Sequence, residues 1–258
     1  MTIKFSGLTK TLAAIAGFIV IAPMLALLMK VSWLNYFSNL GDLRAVWLSM
    51  WTSFLAVVIA LALGTPLAWV LAKSKSRFLH IIRPLILAPI VLPPTVAGMA
   101  LIALLGRNGL LGHFIYKSTS FSIPFTPLAV IIALIFVGLP FVVLICESNF
   151  RQLPKDVEDA ALIDRAMPTH LFRLIALPQS RSAIATAGIL AWARAIGEFG
   201  ATLMFAGSLP GSTQTWTMLI YQELDIDQSA AYSLSALMLV LSIFVVFIAR
   251  KPLRNSLR

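Results

Sequence analysis

The sequence predicts an all-α integral membrane protein with six transmembrane helices. Three observations carry that reading: the apolar fraction, the number of apolar runs long enough to cross a bilayer, and the placement of basic residues between them. Of 258 residues, 59% belong to the AVILMFWYC set and 12% are charged, against about 45–50% and about 25% in a soluble domain. A soluble globule of this composition lacks the polar residues to coat its surface, and a disordered chain would be poor in apolar residues. The formal net charge of +10 would suit a nucleic-acid binder, but such proteins carry their charge on a polar surface. No nucleic-acid partner is expected; the solvent for this chain is a lipid bilayer.

A crossing helix needs roughly 20 mostly apolar residues, and six runs qualify: Thr11–Val31, Trp47–Ala72, Ile81–Gly106, Pro127–Cys146, Ser182–Gly207 and Ala230–Ala249. Lys4 and Lys10 precede the first run in the manner of a secretory signal. A signal's apolar core is only about 7–15 residues and ends at a small-x-small site, whereas this run is longer and ends Leu28-Met29-Lys30. It is expected to stay as the first span. The third run carries Pro84, Pro89, Pro93 and Pro94. Between the fourth and fifth lies the longest polar stretch, Glu147–Arg181, which is a loop rather than a domain. Residues 1–258 are thus expected to form one transmembrane domain with a cytoplasmic loop at 147–181.

Orientation follows from Lys and Arg in the short loops. Fifteen of the 20 basic residues fall in the N-terminus, the loop with Lys73, Lys75, Arg77 and Arg83, the loop 147–181, and the tail. That side is expected to be cytoplasmic, with both termini on it.

The inventory for catalysis is thin. Cys146 is the single cysteine, so no intrachain disulfide or cysteine metal cluster is expected. His80, His113 and His170 all fall in expected loops, leaving no Ser–His or metal–His arrangement in the bilayer. Gly211-Ser212 lacks the flanks of a nucleophile elbow. No Gly-rich stretch ends in Gly-Lys-Ser or Gly-Lys-Thr, so no P-loop binds ATP in this chain. An enzyme is not expected.

Intramembrane charge points further. Arg194 and Glu198 lie in the fifth run at i, i+4, so their side chains share one helix face. An ionised group at that depth costs about 2.5–3.5 kcal/mol even on the lenient insertion scale and is functional by default. Either the pair locks helix packing, or its face borders a translocation route where Arg194 offsets substrate charge and Glu198 keeps an anion from binding too tightly. Ala193, Gly197 and Ala201 recur every four residues with Gly200 alongside, a spacing that lets helix backbones approach in lipid, within one chain or between subunits. Pro93-Pro94 removes two backbone donors. Irregular backbone at membrane depth is tolerated only against protein or a water-filled cavity, so a bend is expected there.

The loop 147–181 reads as two short helices. Asp156 can cap the first, whose opening turn carries Glu158 and Asp159; Pro168 stops it, and Thr169 can cap a second reaching Leu177. Such a pair looks like a docking knob. The outer loop Pro210–Gln228 holds Glu223, Asp225 and Asp227 without Lys or Arg; it is either a solvated loop or a contact for basic residues of an external protein.

At these residues the sequence resembles the membrane-spanning permeases of ABC importers. Their signature loop is Glu-Ala-Ala, three residues, Gly, nine residues, then Ile-x-Leu-Pro. Here Asp159-Ala160-Ala161 aligns with its start and Ile175-Ala176-Leu177-Pro178 with its end at the right spacing, while Arg165 stands where the Gly is expected. Ala193-Arg194-Ala195-Ile196-Gly197-Glu198-Phe199-Gly200-Ala201-Thr202, Leu92-Pro93-Pro94-Thr95-Val96-Ala97-Gly98 and Gly106-Arg107-Asn108-Gly109 are similar to the molybdate and tungstate branch, with sulfate and thiosulfate permeases as the alternative. The resemblance implies the ABC importer permease fold, a homodimer, two cytoplasmic ATPase subunits and an external oxyanion-binding protein, in a prokaryotic cytoplasmic (inner) membrane. It implies ATP and Mg in the partner subunit and no cofactor in this chain. Coupling residues would be Glu158, Asp159, Ala160, Ala161, Arg165 and Ala166; pathway or gate residues Pro93, Pro94, Arg194, Gly197, Glu198 and Gly200.

Overall fold

The computed structural model describes residues 6–40, 42–154 and 167–256. Helices dominate, and no strand occurs among the described residues. Two compact units divide the chain, one of Met1–Leu43 with Leu219–Phe244, the other of Arg44–Met218 with Val245–Arg258.

In the first unit, α1 (Gly7–Lys30) starts where Ser6 Oγ accepts from Thr9 N at 3.2 Å, an N-cap that satisfies one orphan donor of the first turn. Its middle is apolar around the whole circumference, with a mean hydropathy of 2.6 over an 18-residue stretch, the pattern of a helix made for hydrocarbon.

The second unit is built on two unbroken helices, α2 (Arg44–Lys73) and α6 (Pro127–Arg151). Thr126 Oγ1 caps α6 and Pro127 occupies its first turn, where the missing N–H is harmless. On α2 the buried positions Ser53, Ala56, Ala60, Gly64 and Ala68 repeat at helical spacing and are small. Small faces are what bring helices together in lipid, where apolar burial alone gives no net drive.

Around this frame the remaining apolar runs are broken. Helix α3 (Arg77–Leu87) continues as a 3₁₀ turn, Ala88–Ile90, and then meets α4 (Pro94–Leu105) at a bend of 118°. Pro93 and Pro94 cause it, since neither can donate to the preceding turn. After the short outer helix α5 (Gly112–Thr119) and α6, the run 168–179 (α7) contains a π-helical stretch, Leu171–Ala176, and meets α8 (Arg181–Ile196) at 71°. Then α9 (Gly200–Ala206) and α10 (Trp216–Ile226) follow, and α11 (Gln228–Ser256) ends the chain. By length and composition four helices can cross a membrane, or up to six if each bent pair is one span.

The bend expected in the third run at Pro93-Pro94 is present. Other expectations are corrected. The fifth, Ser182–Gly207, is interrupted after Ile196 and restarts at Gly200. The fourth continues to Arg151, so Glu147 belongs to a helix and the loop is shorter than 147–181. Pro168 begins α7, which puts Thr169 inside the first turn and not at a cap. His80, His113 and His170 are all helical. The first loop helix with its Asp156 cap lies outside the described residues.

Candidate functional site

The interruption of the fifth run organises the site. Gly197 ends α8, and the next helix starts three residues on. Arg194 therefore occupies the last turn of α8, where carbonyls concentrate negative charge, and Glu198 stands just before α9, where free N–H groups concentrate positive charge. The order Arg-then-Glu, unfavourable within a continuous helix, is favourable across a break. Arg194 Nη1 pairs with Glu198 Oε2 at 2.5 Å, and Glu198 Oε1 accepts from Ala201 N at 2.8 Å. The carboxylate thus closes the ion pair and caps α9 together. Its side chain is 1% exposed and that of Arg194 31%, so the arginine is the member that reaches towards open space.

A polar seam surrounds the pair. Thr217 Oγ1 donates to Glu198 O at 2.9 Å, and Trp216 N donates to Ser49 Oγ at 2.7 Å, tying the first turn of α10 to Glu198 on one side and α2 on the other. Trp192 Nε1 donates to Ser53 Oγ at 2.9 Å. Thr213, Gln214, Thr215 and Trp216 are buried. The stretch expected as a solvated outer loop therefore turns interior at Thr213, Gln214, Thr215 and Trp216, and its distal part carries Glu223, Asp225 and Asp227.

The bend of the first broken run meets this break. A Cβ built on Gly98 would lie 2.6 Å from Met204 Cβ, so α4 and α9 cross with backbones in contact. Pro94 and Gly200, expected as site residues from separate motifs, touch. Pro93 is the residue before α4. Gly197 lies exposed at the end of α8. The expected stripe Ala193, Gly197, Ala201 does not form one face, because the helix stops between its members, and Ala193 is exposed. The small face that packs is one register away: Ala183, Ala187, Ala191 and Ala195, which lie against α2 and α6. The coupling residues Glu158, Asp159, Ala160, Ala161, Arg165 and Ala166 lie outside the described residues. No group of three or more His, Cys, Asp or Glu placed to hold a metal occurs among the described residues.

One buried charge was missed. Glu147 is fully buried on α6, where Arg83 and Arg151 both reach it. An acid directly after an apolar run reads as a loop start; the i, i+4 arginine was the available signal that the helix goes on.

A family model described as "Binding-protein-dependent transport system inner membrane component" matches residues 64–253. The chain belongs to this family. Within it, the chain is 38% identical over 253 residues to the molybdenum transport system permease protein ModB of Mycobacterium tuberculosis, covering 96% of both. It is 33% identical to the ModB of Azotobacter vinelandii over 80% of this chain and 92% of that one. A sulfate transport system permease protein of Salmonella typhimurium matches at 28% over 89% and 85%. The solved structure of a bacterial alginate ABC transporter superposes with a TM-score of 0.72 at 13% identity, covering 93% of this chain and 91% of that one. The fold is therefore that of an ABC importer permease, and the protein is a multi-pass membrane protein.

Proposed function

We propose that the chain is the membrane-spanning permease subunit of an ATP-driven importer of molybdate or tungstate. The observation that carries this reading is the 38% identity, over 96% of both chains, to a relative named as a molybdenum transport permease. The site chemistry agrees with it. An anion passing the break in the fifth run meets Arg194, whose charge offsets its own, while Glu198 already holds part of that guanidinium and keeps the anion from lodging. A weak site suits transport, because the substrate has to leave.

The chain works as a homodimer with two cytoplasmic ATPase subunits and an external oxyanion-binding protein, in the cytoplasmic membrane of a prokaryote. ATP and Mg belong to the ATPase, so this chain is no enzyme. Residues 158–166 seat on the ATPase, and the acidic residues Glu223, Asp225 and Asp227 face the binding protein. Nucleotide-driven closure of the ATPases shifts the permease between inward-open and outward-open states, since only a partner that binds the two states differently can move their balance. The contact of α4 with α9, each the restart of a broken run, is where such a shift changes access.

Uptake by the reconstituted complex under competition tests this. Molybdate and tungstate are expected to displace each other while sulfate in excess does not; uptake dominated by sulfate would reassign the substrate.

A further inference from the structure

At the end of the second unit opposite to α5, a charge cluster joins three helices. Glu147 of α6 accepts from Arg83 Nε of α3, which lies 2.9 Å from Oε1 and 3.0 Å from Oε2. It also accepts from Arg151 at 2.6 Å through Nη2, and that same nitrogen donates to Leu71 O in the closing turns of α2 at 3.1 Å. One arginine would neutralise one carboxylate. Arg151, four residues away on the same helix, already does so, and its second bond ties α2 to α6. Arg83 is the member whose contact neutralisation does not require, and it belongs to the first bent pair.

The second bent pair is held at the same end by different means. Phe172 of α7 lies 5.7 Å from Trp69 of α2 and 6.2 Å from Phe150 of α6, ring centre to ring centre. Aromatic contacts are weaker and hold their partners over a wider range of positions than charge-assisted hydrogen bonds do. In the amino-acid sequence, residues 158–166 fall between α6 and α7, the elements that carry Arg151 and Phe172.

We propose that Glu147 is a positioning residue for coupling: through Arg83 it makes the bent pair 77–105 follow α6 when the ATPase moves the segment 158–166. This rests on the docking reading above. Because α4 is the far arm of that pair, a movement held at Arg83 is delivered at the α4–α9 contact.

The test uses the complete complex, with ATPase and external binding protein, in proteoliposomes, reading oxyanion taken up per ATP hydrolysed. Arg83→Gln leaves the Glu147–Arg151 pair intact and alters a side chain that is 41% exposed, so it is the primary variant; Glu147→Gln is the second. Both are expected to retain the ATPase and hydrolyse ATP, with uptake per ATP falling about tenfold, within the usual span of coupling between sites. The double variant is expected to fall no further than Glu147→Gln, and Arg83→Lys to restore most of the ratio. A ratio within about twofold of wild type in Arg83→Gln, or uptake and hydrolysis lost together in proportion to assembled complex, overturns the proposal. If Glu147→Gln fails to assemble, Arg83→Gln decides alone. A wild-type chain that retains no ATPase sinks the docking reading itself, a result distinct from a wild-type complex that couples and variants that couple equally well.

Discussion

Gly200 packs directly on Pro94: a Cβ on the glycine would lie 2.7 Å from Pro94 Cβ. Each residue starts the helix that resumes a broken run, so the two restart points are in contact. A side chain at 200 has to push α4 away from α9. Gly200→Val is expected to destabilise the protein by about 1–3 kcal/mol, the usual effect of overpacking, and to lower the melting temperature in detergent. Gly197→Ala, where the nearest atom would be Ala193 O at 3.8 Å, is the control and is expected to melt like wild type. Equal melting of both variants would show that the contact bears no strain.

Glu198 serves Arg194 and the first turn of α9 at once. Glu198→Gln keeps an oxygen for Ala201 N and gives up the charge; Glu198→Ala gives up both. Arg194, left without its partner, is 31% exposed, so the loss is expected to stay below the roughly 3–5 kcal/mol of a fully buried pair, with stability falling in the order wild type, Gln, Ala. Thermal unfolding followed by size-exclusion chromatography measures this. Identical curves for Gln and Ala would remove the capping role.

Arg194→Ala is expected to impair uptake more than assembly. Its side chain is the part of the pair that reaches open space, and loss of one close charge interaction is worth at least about tenfold. Uptake at the wild-type level with assembled complex would leave Arg194 as a packing element only.

Ser49→Ala removes the acceptor of Trp216 N, a buried donor with no water to turn to. The expected loss is about 1–3 kcal/mol, read as a lowered denaturation midpoint. An unchanged midpoint would mean that the first turn of α10 is held by Thr217 and its neighbours instead.

For the proposed docking segment, Ala160→Arg or Ala161→Arg is expected to abolish co-purification of the ATPase, since each puts a long cation where the sequence has a small apolar residue. Retention of the ATPase by both variants would sink the docking argument.

Much of this was legible in the sequence because hydrophobic length is a property of a segment and needs no partner. The unbroken spans were readable within a few residues: Trp47–Ala72 became Arg44–Lys73 and Pro127–Cys146 became Pro127–Arg151. Pro93-Pro94 announced its bend, because a missing N–H is a local fact. The break at Gly197–Phe199 was not readable in the same way. A hydropathy window sums residues without regard to direction, and Gly-Glu-Phe-Gly inside an apolar run lowers the sum too little to end it.

The sequence by itself determined that the chain lies in a membrane, how many apolar runs it has, which side attracts the basic residues, and to which family its motifs belong. The tertiary structure alone decided that the Arg194–Glu198 pair spans two helix ends, that Thr213–Trp216 is interior, and that Glu147 is buried between arginines. The physical reason is range. Trp216 N finds its acceptor 167 residues away at Ser49, and Glu147 finds Arg83 at a separation of 64. Composition sees each of these polar groups as a cost in lipid; only the folded chain supplies the partner that satisfies it.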